Sequence, residues 1–164
     1  MLHSCWEDRP TAPPAHVDFD PARWYIGRME PPPKDFNAYF AELCCGDLDA
    51  EEFCLAFLAW CHLIDDSLDG EMGKWSHRQI MRVGLMAVTA FAANPFYQQH
   101  RADLWPLVLN SFAAYGDSEN GQHDPRMREV LKTQYQEVFL HVARLAGGWE
   151  FYRAMCAKHR EATP

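Results

Sequence analysis

The chain has 164 residues, enough for one domain with a hydrophobic core. Apolar residues make up 48% of it and aromatic residues 13%, a globular composition that excludes disorder of the whole chain. The formal net charge of −8 argues against nucleic acids and anionic membrane surfaces as main partners. The longest apolar run is too short to cross a bilayer, and the first residues show no apolar signal segment.

Six cysteines are present, but their spacing does not predict disulfides. Cys44 and Cys45 are adjacent, and Cys54 and Cys61 lie one heptad apart in an apolar segment, where thiols usually act as small core side chains. The absence of a CxxC pair argues against a structural zinc site. We therefore expect reduced thiols and a cytoplasmic protein.

Residues 1–34 contain seven of the eleven prolines, including three in succession at Pro31–Pro33. This composition predicts an irregular, extended arm rather than a helix. The apolar triplet Trp24–Ile26 is expected to pack the arm onto the rest of the protein. The helical domain is expected to occupy residues 35–164.

The first two helices are predicted from their caps. Asp35 is expected to begin a short helix that ends at Gly46. Asp49 is expected to be the N-cap of a second helix, which runs to about Leu68 and stops at Gly70. This second helix is apolar nearly all round, so it should be central and buried, and its acidic end should open into a cavity.

Serine, proline and glycine positions predict four further helices, at residues 77–93, 95–115, 125–146 and 149–160. Ser76 is the expected cap of the first of these, Pro106 is expected to kink the second, and residues 116–121 should form a polar loop. No segment shows the alternation typical of strands. The predicted fold is all-α: a single bundle of five or six helices with an irregular proline-rich N-terminal arm.

Three aspartates stand at the end of the second predicted helix. Asp65, Asp66 and Asp69 occupy positions i, i+1 and i+4, so their carboxylates are close neighbours and repel one another. They also lie at the negative end of the helix dipole, and no Lys or Arg lies one helical turn away. A bound divalent cation would relieve both penalties, and oxygen-only ligands suit Mg²⁺.

Residues 64–71, IDDSLDGE, resemble the first aspartate-rich motif, DDxxD, of the class I isoprenoid synthases. They are most similar to the squalene/phytoene synthase branch. The resemblance covers about ten residues and implies a compact terpenoid-synthase-like fold with the motif at the mouth of a central cavity. It also implies that Asp65, Asp66 and Asp69 are the catalytic residues and bind Mg²⁺, which holds the diphosphate of a phosphorylated isoprenoid.

Several other residues are candidates for this site, each with a plainer structural role beside it. The candidates for contacts with substrate or metal are His62, Lys74, Arg78, Arg82, Asn110 and Glu137 (paired with His141), and the candidate cavity walls are Phe57, Trp60, Phe112 and Phe139. A solvated helix end, surface pairs and ordinary core packing would account for the same residues.

Two alternatives remain open, and with them the question of whether the protein is an enzyme. An all-α nucleoside triphosphate pyrophosphohydrolase would also hold Mg²⁺ with helix acids, but Glu51 and Glu52 lie at the wrong end of the second helix. A non-enzymatic interaction module would use the arm and the aromatic faces to bind a protein partner or to form a homodimer. A long apolar cavity favours the isoprenoid ligand, a shallow acidic cleft favours the hydrolase, and a bundle filled by side chains favours the module.

Overall fold

The computed structural model describes residues 36–74, 76–119 and 123–162. This part of the chain contains α-helices and two short 3₁₀ turns, Met72–Lys74 and Thr133–Tyr135, and no strand. The helices are α1 (Phe36–Leu43), α2 (Leu48–Leu68), α3 (His77–Ala92), α4 (Pro95–Glu119), α5 (Pro125–Lys132) and α6 (Gln136–Ala162). The all-α prediction is therefore confirmed. The proline-rich arm and the predicted Asp35 cap lie outside the described residues.

The central helix α2 begins two residues earlier than predicted. Its N-cap is Asp47, not Asp49, because an Asp47 carboxylate oxygen accepts a hydrogen bond from the Ala50 backbone N–H at 3.0 Å. Asp49 instead lies in the first turn, where its negative charge stabilises the helix by attraction to the positive end of the helix dipole. The predicted stop is confirmed: the helix ends at Leu68, and Gly70 has a φ of +71° that ordinary side chains disfavour.

Helix α3 follows its predicted boundaries. Ser76 and Gln79 form a capping box, in which each side chain satisfies a backbone N–H of the other residue. The helix ends before Asn94, whose buried side chain ties the next junction to α2. Its amide donates to the Asp49 carbonyl at 2.8 Å, and its oxygen accepts from the Tyr97 N–H at 2.9 Å.

Helix α4 differs from the prediction in two respects. Its non-helical residue is His100, with φ −109° and ψ 17°, whereas the chain passes through Pro106 with helical angles. The helix also continues to Glu119, so the first part of the predicted polar loop is helical. Ser118 shows why, because it is fully buried and its hydroxyl donates to the Tyr115 carbonyl at 2.6 Å. Tertiary packing here overrides the helix-breaking preference of Gly116.

The predicted helix 125–146 is two helices. A 3₁₀ turn separates α5 from α6, and the Thr133 hydroxyl at this turn donates to the Glu129 carbonyl at 3.2 Å. Such a back-bond is typical of a bent or ended helix. The predicted boundary at Gly147 and Gly148 is found as a break within α6, where Gly148 has a φ of +79°.

The centre of the bundle is α2, which packs against α1, α3, α4 and α6. Residues 53–59 are all buried, as expected for a helix that is apolar all round. The Phe57 ring centroid lies 5.9 Å from that of Phe112 on α4 and 5.6 Å from that of Phe139 on α6, and the Trp60 centroid lies 4.7 Å from that of Phe112. These aromatic side chains therefore pack against one another in the interior.

No helix in the described ranges combines the length and the apolar character that a membrane span requires.

Candidate functional site

The three aspartates lie together at the C-terminal end of α2, but their environments differ. Asp66 is only 2% exposed, Asp65 is half-buried, and Asp69 is exposed. Asp69 is the C-cap, and its N–H donates to the Asp65 carbonyl at 2.9 Å. Glu71 closes the turn by donating its N–H to the Asp66 carbonyl at 2.8 Å. The sequence thus places the acids at a helix end, while their burial is set by the helices around them.

Two other helices bring partners to this acidic end. From α4, the Tyr115 hydroxyl donates a hydrogen bond to the Asp65 carboxylate. From α5, the Lys132 ammonium lies 2.7 Å from a carboxylate oxygen of Glu119 and 5.7 Å from the centroid of the Tyr115 ring. Lys132 is the positive charge that local sequence reasoning did not find, because only the packing of α5 against α4 brings it to the end of α2.

The pKa shifts agree with this arrangement. The hydrogen bond from Lys132 to Glu119 raises the pKa of Lys132, and the charges of Asp69 and Asp65 raise it further. Burial raises the pKa of Tyr115, and so do its hydrogen bond to Asp65 and the surrounding acids. Both groups therefore keep their protons near neutral pH. The Lys132 cation partly compensates the negative charge at the junction of α2, α4 and α5, and the neutral Tyr115 stabilises the Asp65 carboxylate by its hydrogen bond.

Within the described ranges, no three His, Cys, Asp or Glu side chains converge in positions that could hold a metal ion. Glu137 is exposed at the start of α6, where its charge acts on His141 and His159. The His141 ring nitrogen lies 2.9 Å from the Arg144 guanidinium. The magnesium site therefore stays a prediction from the sequence.

The remaining candidates are spread over several elements. His62 is exposed on α2, Arg78 is exposed in the first turn of α3, and Asn110 is exposed on α4. Lys74 ends the first 3₁₀ turn and Arg82 lies in α3, and their side chains are outside the described part. An open depression of about 440 Å³ lies along α4, lined by Gln98, Gln99, Arg101, Ala102, Trp105 and Pro106, and none of the predicted site residues lines it.

A row of exposed apolar side chains lies on the outer side of α3. Met81, Leu85 and Val88 are 65%, 61% and 65% exposed, and Gly84 lies between them. We call these four residues the α3 apolar face. The opposite side of the same helix, with Val83 and Ala87, is buried, and α3 packs mainly on α2. The sequence pattern could have indicated this face, because α3 carries apolar residues on two sides at helical spacing. We did not predict that one of these sides would be exposed.

The α3 apolar face has a distinctive setting. Helix α3 contains no acidic residue, although the whole chain carries a net charge of −8. Near its C-terminal end the Phe91 ring lies 6.3 Å, between centroids, from the ring of Trp105, which is 38% exposed on α4. Exposed apolar side chains aligned on one face of a helix, as on α3, mark binding surfaces.

No protein-family model, curated protein or solved structure matches this chain.

Proposed function

We propose that this protein is a non-enzymatic helical module that binds a protein partner through the α3 apolar face. The observation that carries the proposal is the exposure of Met81, Leu85 and Val88, aligned on a helix whose other side belongs to the core. Leaving apolar surface in water forgoes about 25 cal/mol per Å², so a partner helix that covers this line gains free energy directly. Side chains at i, i+4 and i+7 are the usual anchors of helix-to-helix recognition.

The interior supports the same proposal. Of the candidate cavity walls, Phe57 and Phe139 are buried in the core, Phe112 packs against it half-buried, and Trp60 contacts Phe112. Rings that fill the space between α2, α4 and α6 favour a packed bundle over a hydrocarbon-binding one.

A photo-crosslinking experiment tests the proposal. Benzoylphenylalanine replaces Leu85 in one variant and Arg153, a 66%-exposed side chain on α6, in the control variant. Irradiation in the cells that make the protein should give one saturable adduct of defined mass from position 85 and none from position 153. The adduct should disappear when Met81→Asp and Val88→Asp are added. Equal adduct patterns from positions 85 and 153 would contradict the proposal.

A second function is proposed from the acidic end of α2: binding of a Mg²⁺-complexed phosphorylated isoprenoid. The Asp66 carboxylate is 2% exposed and lies beside two others at one helix end, and a bound cation would offset their mutual repulsion. Binding of Mg²⁺ there would require Asp65 to exchange its Tyr115 contact, and Lys132 to turn toward the phosphate. The pyrophosphohydrolase alternative has less support, because Glu51 and Asp65 are separated by about 21 Å along one helix.

Calorimetry tests this second proposal. Mg²⁺ is titrated with and without an isoprenoid diphosphate into the wild type, the Asp65→Asn/Asp66→Asn variant and the Asp69→Asn variant, whose changed side chain is exposed. Diphosphate binding that requires Mg²⁺ and weakens at least tenfold in both variants would support it. Binding that is equal in the wild type and in a correctly folded Asp69→Asn variant, or no binding at all, would refute it.

A further inference from the structure

We infer that the partner of the α3 apolar face is a second copy of this chain, with the two α3 helices antiparallel and the two-fold axis between Gly84 and Leu85. This inference rests on the proposed interaction function and names its partner. It follows from the spacing of the face, from the open space beside Gly84 and from the charges on α3.

The spacing is that of a two-helix seam. Met81, Leu85, Val88 and the exposed Ala92 follow one another at intervals of four, three and four residues, the alternation of fours and threes that is typical of paired helices. With the axis between Gly84 and Leu85, Met81 of one copy lies opposite Val88 of the other, and Leu85 lies opposite Gly84. Every contact then occurs twice, as a closed two-fold interface requires.

Gly84 provides the room that this pairing needs. A Cβ atom built at Gly84 would meet no heavy atom within 4 Å, so the space above its backbone is open. Leu85, which would lie opposite, is a large side chain that is 61% exposed. Leu85 of each copy therefore packs against Gly84 of the other copy. Because glycine has no side chain, the two α3 helices can approach closely there.

The charges favour the antiparallel direction. Arg78 is exposed in the first turn of α3, and in an antiparallel pair it reaches the C-terminal end of the other α3, where the helix dipole is negative. The two Arg78 residues are then about 20 Å apart along the helix axes, beyond the screening length of physiological salt. A parallel pair would place them side by side. Because α3 contains no acidic residue, it is also a surface on which two chains of charge −8 repel each other little.

The size of the face predicts a weak dimer. A stable interface buries about 800 Å² on each partner, more than three side chains and a glycine can supply. We therefore expect reversible association with a dissociation constant of about 10–500 µM.

Sedimentation equilibrium of the full chain from about 5 to 500 µM tests the inference. The wild type should shift from monomer to dimer, whereas Leu85→Glu should stay monomeric throughout. The matched control is Val130→Glu, which places the same charge at a 55%-exposed apolar position on α5 and should dimerise like the wild type. Gly84→Leu should weaken dimerisation at least tenfold without lowering the thermal unfolding midpoint, because Leu favours a helix more than Gly does.

Cysteine cross-linking tests the register. In a Cys5→Ser/Cys45→Ser background, mild oxidation with copper phenanthroline should join two copies of the Met81→Cys/Val88→Cys variant. Met81→Cys alone should not cross-link, because two copies of residue 81 would lie about 10 Å apart along the seam. Equal cross-linking of the single and double variants would refute the register.

The outcomes separate this inference from the proposed function. A wild type that stays monomeric at 500 µM, or a dimer that Leu85→Glu and Val130→Glu affect equally, would overturn the second-copy inference. If photo-crosslinking at position 85 then yields an adduct with a different protein, the interaction function stands with another partner. An adduct within one chain, or none, would overturn both.

Discussion

Replacement of Phe57 by Ala tests whether the interior is a packed core. The Phe57 side chain is 1% exposed, and its ring centroid lies 6.2 Å from that of Phe53, 5.9 Å from that of Phe112 and 5.6 Å from that of Phe139. Truncation of a buried Phe to Ala typically costs about 3–5 kcal/mol, and three ring partners place this site in the upper half of that range. Since domains are stable by about 5–15 kcal/mol, the loss should be a large part of the total.

Urea unfolding followed by circular dichroism measures this loss. The denaturation midpoint should fall at constant slope, and the thermal midpoint should fall by about 10 °C or more. Phe57→Leu should cost about 1–1.5 kcal/mol, and Leu85→Ala, on the outside of α3, should change stability by less than about 0.5 kcal/mol. A cost below about 1.5 kcal/mol for Phe57→Ala, at unchanged slope, would refute the reasoning, because the rings would then border open space.

Three further predictions concern polar groups and thiols. Burial lowers the pKa of His159 below its ordinary 6.5, so its contribution to folding is complete above pH 6.5 and should be lost as the pH falls from there to the folded pKa. Lys132→Met should cost less than about 1 kcal/mol, and less still in 1 M salt, because its side chain is 37% exposed. A thiol reagent should label the exposed Cys45 long before Cys54, which is fully buried and has a raised pKa.

Each of these predictions has its own control. Urea titrations from pH 8 to pH 5 should show a shallower decline for His159→Gln, and an equally steep decline would remove His159 as the cause. For Lys132, an unchanged cost in 1 M salt would contradict the ion pair with Glu119 as the source of its contribution. For the thiols, mass spectrometry locates the label, and early modification of Cys54 would show that the junction of α1 and α2 opens readily.

A tertiary hydrogen-bond chain joins His159 on α6 to Tyr39 on α1. Its Nε2–H donates to the Gln136 side-chain oxygen at 3.2 Å, and its Nδ1 shares a hydrogen bond with the Tyr39 hydroxyl, whose pKa burial raises to about 12. The imidazole is thus neutral, with one nitrogen donating and the other accepting. Protonation of the ring would place a positive charge in this half-buried position, so acid should loosen the contact between α1 and α6.

The site residues divide according to the range of the interactions that position them. Asp65, Asp66 and Asp69 could be found from the sequence, because their helical spacing and the Gly70 stop are local features. The residues that hydrogen-bond these aspartates or offset their charge are Tyr115 and Lys132. They come from segments about 50 and 65 residues further along the chain. No local pattern joins such distant positions, so a cluster that appeared uncompensated in the sequence is partly compensated in the fold.

The sequence by itself determined the all-α class, the buried α2 and the ends of α3, because periodicity, caps and helix-stopping residues act over a few neighbouring residues. Only the tertiary structure decided that the helix continues past Gly116 and that the aromatic side chains fill the interior. It also decided which of the two apolar sides of α3 remains exposed. These outcomes depend on which surfaces meet when helices pack, and a residue's burial is a property of the whole bundle rather than of its own segment.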